Sequence, residues 1–106
     1  MFAAIRSYQA KDPVSQELRD QLAREIERDF VPKIEHLRGF HGYYAVDAGP
    51  DRLVTISLFE TMEGVNESTR IAADHLKTAK LSVDLGSPDV AEGEIRVMRE
   101  AAVGAH

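Results

Sequence analysis

"FHGYYAVDAGPDRLVTISLFE", residues 40–60, holds two runs of alternating character around a turn. The second run, "LVTISLFE" (53–60), is rich in the β-branched and aromatic residues that suit a pleated, half-buried strand. Its partner is "FHGYYAVD" (40–47). Between them Gly49 tolerates positive φ, Pro50 fixes its own, and Asp47 or Asp51 can accept from local amides. The stretch therefore predicts an antiparallel hairpin, and the rest of the chain is placed relative to it.

Upstream, Gly39 ends a segment in which Leu18, Leu22, Ile26, Phe30, Ile34 and Leu37 recur on one face while Glu17, Arg24, Glu27 and Arg28 point outward. This is an amphipathic helix of about six turns. Pro13 suits its first turn, and Asp12 or Ser15 suits its cap. Pro32 deletes one backbone hydrogen bond, which predicts a kink over 28–32. Before the helix, "FAAIRSYQA" (2–10) alternates as a first strand. After the hairpin, "TMEGVNESTRIAADHLKTAKL" (61–81) reads as a second helix, capped by Thr61, with Val65, Ala72, Leu76 and Ala79 inside. Residues 82–93 read as a loop, "EIRVMRE" (94–100) as the last strand, and the tail from about 101 as frayed. The order is β-α-β-β-α-β in one domain, 1–106, without repeats.

With 106 residues, 43% of them hydrophobic, the chain can close one core. Net charge is −5, and "ELRDQLAREIERD" (17–29) interleaves its basic residues with acids, so no basic stripe exists for phosphates and nucleic acid is not expected as a partner. There is no cysteine, hence no disulfide or thiolate chemistry. No apolar run approaches the ~18 residues of a membrane span, and "MFAAIRSYQAKD" lacks the core of an export signal. A cytoplasmic protein away from membranes is the expectation.

Alternation sorts the strand residues into two faces. One collects Ile5, Phe40, Tyr44, Val46, Val54, Ile56, Leu58, Ile95 and Val97, and its apolarity assigns it to the underside of the helices. The other collects Arg6, Tyr8, His41, Tyr43, Leu53, Thr55, Ser57, Phe59, Arg96 and Met98. Its large rings imply an apolar patch that packs against a second copy in a two-fold dimer. A monomer whose loop or tail covers the patch is the alternative.

The element order, together with "FVPKIEHLRGFHGYYAVDAG" (30–49) and "LVTISLFETMEGVNESTR" (53–70), resembles the antibiotic biosynthesis monooxygenase-like proteins of the dimeric α+β barrel superfamily. The likeness spans residues 2–99, and one position departs: Arg38 stands where that family often has Pro. The resemblance implies a ferredoxin-like α+β fold, a four-stranded antiparallel sheet, a homodimer whose sheets face one another, and a pocket between sheet and helices. Members include cofactor-free monooxygenases of polyketide-like aromatics, haem-degrading enzymes, and proteins without a known reaction. His75 occupies a stretch comparable to the helix histidine of the haem-degrading branch, but the tryptophan of that branch is missing here.

Several residues bear on chemistry. His75, beside the inner stripe of the second helix, is a candidate general base or a boundary histidine bonded to a carbonyl. Tyr44 is expected to point toward the helices and into a ligand cavity, as the second catalytic candidate. His41 and Tyr43, on one face, either orient a substrate or fill a dimer core. Arg6, expected beside Arg96 on adjacent strands, calls for an anion or an ion pair. Phe59 is a further substrate contact, and His36 suits a helix C-terminus. The four histidines lack metal-ligand spacing, so no metal or other cofactor is expected. The expectation is a binder of a small apolar or aromatic molecule that acts as a cofactor-free monooxygenase, or else a non-catalytic binding or assembly module.

Overall fold

The computed structural model describes residues 1–101. Strand β1 (Phe2–Gln9) leads into helix α1 (Gln16–Glu25), whose N-cap Ser15 accepts from the Leu18 amide at 3.2 Å. A π-helical turn (Ile26–Phe30) joins α1 to the short α2 (Val31–Ile34). Strands β2 (Phe40–Asp47) and β3 (Arg52–Phe59) form the hairpin, with Gly49 at φ 136° in its turn. Helix α3 (Met62–Thr78) follows, capped by Thr61, and β4 (Asp89–Glu94) closes the sheet. The sheet is antiparallel throughout, in the order β2-β3-β1-β4, with the helices on one face.

The kink takes the form of the π turn, in which the Val31 amide donates to the Ile26 carbonyl. Proline at 32 withholds the amide that would continue the regular ladder, so the helix widens there. Leu22, Ile26, Phe30 and Ile34 are buried as expected, whereas Leu18 is exposed at the start of the stripe. Gly39, at φ 81°, reverses the chain after α2.

Three expectations need correction. First, the faces are exchanged. The helices cover Ala4, Arg6, Tyr8, Leu53, Thr55, Ser57 and Phe59, while Ile5, Tyr44 and Val46 stand exposed on the open face beside half-buried Val54, Ile56 and Leu58. Ranking faces by apolarity failed because the helix-covered face encloses a polar cluster, described below.

Second, β2 carries a bulge: Phe40 pairs with Phe59 and Gly42 with Leu58, so His41 has no partner in the register. The extra residue resets the alternation. It turns Phe40 onto the ring of Phe59, with centroids 5.6 Å apart, and leaves His41 exposed.

Third, the last strand is "DVAEGE" rather than "EIRVMRE". It is an exposed, charged edge strand, a device that discourages further pairing and leaves no apolar alternation to read. Arg6 therefore faces Val90 across the sheet, and Arg96 is exposed near Glu94. The frayed tail expected beyond residue 101 lies outside the described residues.

Candidate functional site

Register builds the floor of a cavity beneath the helices. Arg6 pairs with Thr55, Tyr8 with Leu53, and Tyr43 with Ser57, so these side chains rise from neighbouring positions on one face. The roof comes from Ile26 and Phe30 of the π turn, from Ala72, His75 and Leu76 of α3, and from Leu81 and Leu85 beyond it. The space between floor and roof is about 30 Å³, enough for a water or two. Two outer hollows share its walls. One, of about 420 Å³, lies behind Ile26 and Tyr43, and the other, of about 330 Å³, behind Leu76, Leu81 and Leu85.

The segment carrying Leu81 and Leu85 is tied at two points. The Glu25 carboxylate accepts from both the amide and the hydroxyl of Ser82, and Leu85 bridges to Ala10. These Ser82 hydrogen bonds are what hold the Glu25 carboxyl below the usual range.

Arg6 is the most unusual group. Its side chain is 1% exposed, Nη1 donates to Thr69 Oγ1 at 3.1 Å, and Nη2 donates to Ser57 Oγ at 2.6 Å. Both acceptors are neutral. The Thr69 hydroxyl in turn donates to the Glu92 carboxylate, so the acid on β4 meets Arg6 only through a hydroxyl. Among the described residues no carboxylate lies within ion-pair distance of the guanidinium, and Arg6 Nε has no partner. A buried charge without a counter-ion is costly, by several kcal/mol.

Tyr8 and Tyr43 flank it. Burial raises both phenols, Tyr43 to about 12, although the nearby Arg6 pulls each back downward. The Tyr43 phenol is near enough to Thr55 to feel its hydroxyl, but the two do not meet in hydrogen-bonding geometry, and Thr55 Oγ1 is left without a partner.

His75 lies against the Phe30 ring, with centroids 5.4 Å apart, and Phe30 in turn packs on Tyr43 at 5.5 Å. Lys33 Nζ stands 3.0 Å from His75 Nδ1. An ammonium can only donate, so Nδ1 accepts and the neutral ring carries its proton on Nε2. That Nε2 is buried and has no partner. Burial, reinforced by Lys33 and partly offset by Asp29, lowers the histidine below its usual range and keeps the ring neutral.

Of the six residues singled out in the sequence, the fold brings Arg6, Tyr43 and His75 to this cavity. The other three lie elsewhere. Tyr44 is 56% exposed on the open face, because it directly follows Tyr43 on a strand and so points the opposite way. His41 is the exposed bulge residue. Phe59 is fully buried in packing against Phe40 and Gly64, away from the cavity lining. Sequence reading missed Thr55, Tyr8 and Phe30 as site residues. Alternation had already put Thr55 and Tyr8 on the face of Arg6, but the pairing register that makes them neighbours was needed to see it.

The lining therefore presents a cation and several hydroxyl groups inside an apolar shell. No helix in the described residues is long and apolar enough to cross a membrane. Neither a protein-family model nor a curated protein matches the sequence. Solved structures do match. A protein of unknown function from Nitrosomonas europaea, NE2512, is 20% identical, with a TM-score of 0.67 over 95% of this chain and 94% of that one. The ActVA-Orf6 monooxygenase of Streptomyces coelicolor, solved with the ligand Nanaomycin D, is 13% identical, with a TM-score of 0.70 over 95% and 92%. The heme-degrader MhuD of Mycobacterium tuberculosis, solved with two hemes in its active site, is 13% identical, with a TM-score of 0.66 over 94% and 100%. The chain thus shares the ferredoxin-like α+β fold of these solved structures, a putative antibiotic biosynthesis monooxygenase from Bordetella bronchiseptica also among them, and this is the fold that the sequence resemblance implied.

Proposed function

We propose that this protein binds a small aromatic or polyketide-like molecule in the space between sheet and helices and oxygenates it without a bound cofactor. The carrying observation is the cavity itself, where buried Arg6, Tyr43 and His75 meet inside an apolar shell. Such oxygenation needs a dry site and an electron-rich substrate anion that itself reduces dioxygen, one oxygen atom entering the product and the other leaving as water. The likeness to the ActVA-Orf6 monooxygenase supports this choice at the level of the fold. At about 30 Å³ the cavity is far below the roughly 300 Å³ or more of a ligand site, so Ile26 and Tyr43 must part to join it with the 420 Å³ hollow outside. Haem fits poorly, because His75 turns a protonated nitrogen inward.

In this reading Tyr43 takes the place expected for Tyr44. His75 positions the substrate through Nε2–H, and serves as a base only after exchanging tautomers as Lys33 turns away. The working form is a cytoplasmic homodimer whose open sheet faces meet, since Ile5, Val46, Val54 and Ile56 form an apolar surface of the kind that marks interfaces.

Oxygen consumption over a panel of phenolic substrates tests the activity, with His75→Ala and Tyr43→Phe expected to abolish turnover and Tyr44→Phe to retain it. If no phenol is turned over and the first two variants alter only thermal stability, the protein is a non-catalytic binding or assembly module.

A further inference from the structure

Three buried groups that line one cavity lack hydrogen-bond partners: Arg6 Nε, Thr55 Oγ1 and His75 Nε2. All three residues are more than nine-tenths buried. Two of these atoms can only donate. An arginine Nε–H has no acceptor capacity, and Lys33 on Nδ1 fixes the proton of His75 on Nε2. The threonine hydroxyl can donate as well. What is missing is a common acceptor, and the charge of Arg6 specifies an anionic one.

The walls supply no anion. No Asp or Glu lines the cavity, the Tyr8 phenol beside Arg6 and the Tyr43 phenol near Thr55 are neutral, and the remaining lining is mainly Ile26, Phe30, Leu53, Leu76 and Leu85. A methionine would fill the place of Arg6 without its desolvation cost, so the buried charge repays that cost only when an anion sits beside it. The net charge of −5 does not draw anions to the molecule, which leaves short-range contact as the means of recognition.

We infer that the ligand of this cavity is an aromatic anion whose carboxylate, or ionised phenol or enol, is received by Arg6 Nε, His75 Nε2 and the Thr55 hydroxyl. Its ring lies toward the hollow behind Ile26 and Tyr43. The inference rests on the pocket reading above and narrows its ligand class.

Isothermal titration calorimetry at neutral pH with 1-naphthoate, 2-hydroxy-1,4-naphthoquinone and the neutral 1-naphthamide tests it. At least one anion should bind about tenfold or more tighter than the amide, the worth of a charge-assisted hydrogen bond. Whichever of the two anions binds more tightly tells carboxylate from enolate. Arg6→Met should remove that advantage, bringing the anion to the affinity of the amide measured in the same variant. Should Arg6→Met fail to fold, Thr55→Val, which keeps the charge and the volume, should still weaken the anion about threefold or more. An amide that binds as tightly as both anions, or anion affinity unmoved in every folded variant, overturns the inference and leaves the pocket standing. If none of the probes binds at millimolar concentration, the pocket reading falls as well.

Discussion

The sheet face under the helices carries Arg6, Thr55 and Ser57 among its buried residues, whereas the open face carries Ile5, Val46, Val54, Ile56 and Leu58. The more apolar face is thus the one without helices. Hydropathy reports that a surface will be shielded from water, not what shields it. A helical cover brings its own hydroxyls and amines, here Thr69 and Lys33, and with them the means to bury polar strand residues around a cavity. A flat face bare of such groups suits another apolar sheet.

Substitutions on the two faces sharpen the contrast. Phe59→Ala, on the helix side, removes a fully buried ring and should cost about 3–5 kcal/mol in denaturant unfolding. A loss below about 1 kcal/mol would mean that this face is not the packed one. On the open side, Ile56→Asp should leave the subunit folded but halve the molar mass measured by light scattering, because a charge is set into the proposed interface. A wild-type monomer at micromolar concentration ends the dimer proposal.

Gly64→Ala comes next. A methyl group there would lie 2.6 Å from the Phe59 ring, so the substitution should cost roughly 1–3 kcal/mol from overpacking. In an open helix position the same change gains about 1 kcal/mol, and the sign of the measured difference decides whether α3 sits hard against β3.

Smaller effects concern the roof of the cavity. Glu25→Gln should weaken the hold on Ser82 by about 1 kcal/mol, read as faster amide exchange over residues 81–85 and unchanged exchange in β3. Glu25 titrates below its ordinary value near 4.5, so its contribution is complete above that pH and is lost as pH falls through the lower folded value. His75 adds to the same trend. Its folded value lies below 6.5, so its burial costs nothing above that pH and destabilises increasingly below it. Nitrogen shifts of the imidazole should show a neutral ring at pH 7 with the proton on Nε2, and a proton on Nδ1 instead would remove the donor assigned to the cavity.

Much of the fold was legible. The hairpin, the helix cap at Thr61, the cap at Ser15 as one of two candidates with Asp12, the turn glycines 39 and 49, and the break at Pro32 all rest on local chemistry that a short window contains. The edge strand β4 was not, because an exposed strand such as "DVAEGE" has no buried side to impose alternation. The site was half legible. Arg6, Tyr43 and His75 were recognisable as side chains able to bind, but Tyr44 was preferred to its neighbour through the inverted faces, and the bulge that displaces His41 leaves no clear signature in sequence.

By itself the sequence determined the order of elements, the hairpin and, away from the β2 bulge and β4, which strand residues share a face, since these follow from backbone preferences and a period of two. Only the tertiary structure decided which face receives the helices, and hence that Arg6, Thr55 and His75 enclose one cavity with unmet donors. Alternation is symmetric with respect to the two sides of a sheet, and the symmetry is broken by long-range packing of α1, the π turn and α3, which no local pattern encodes.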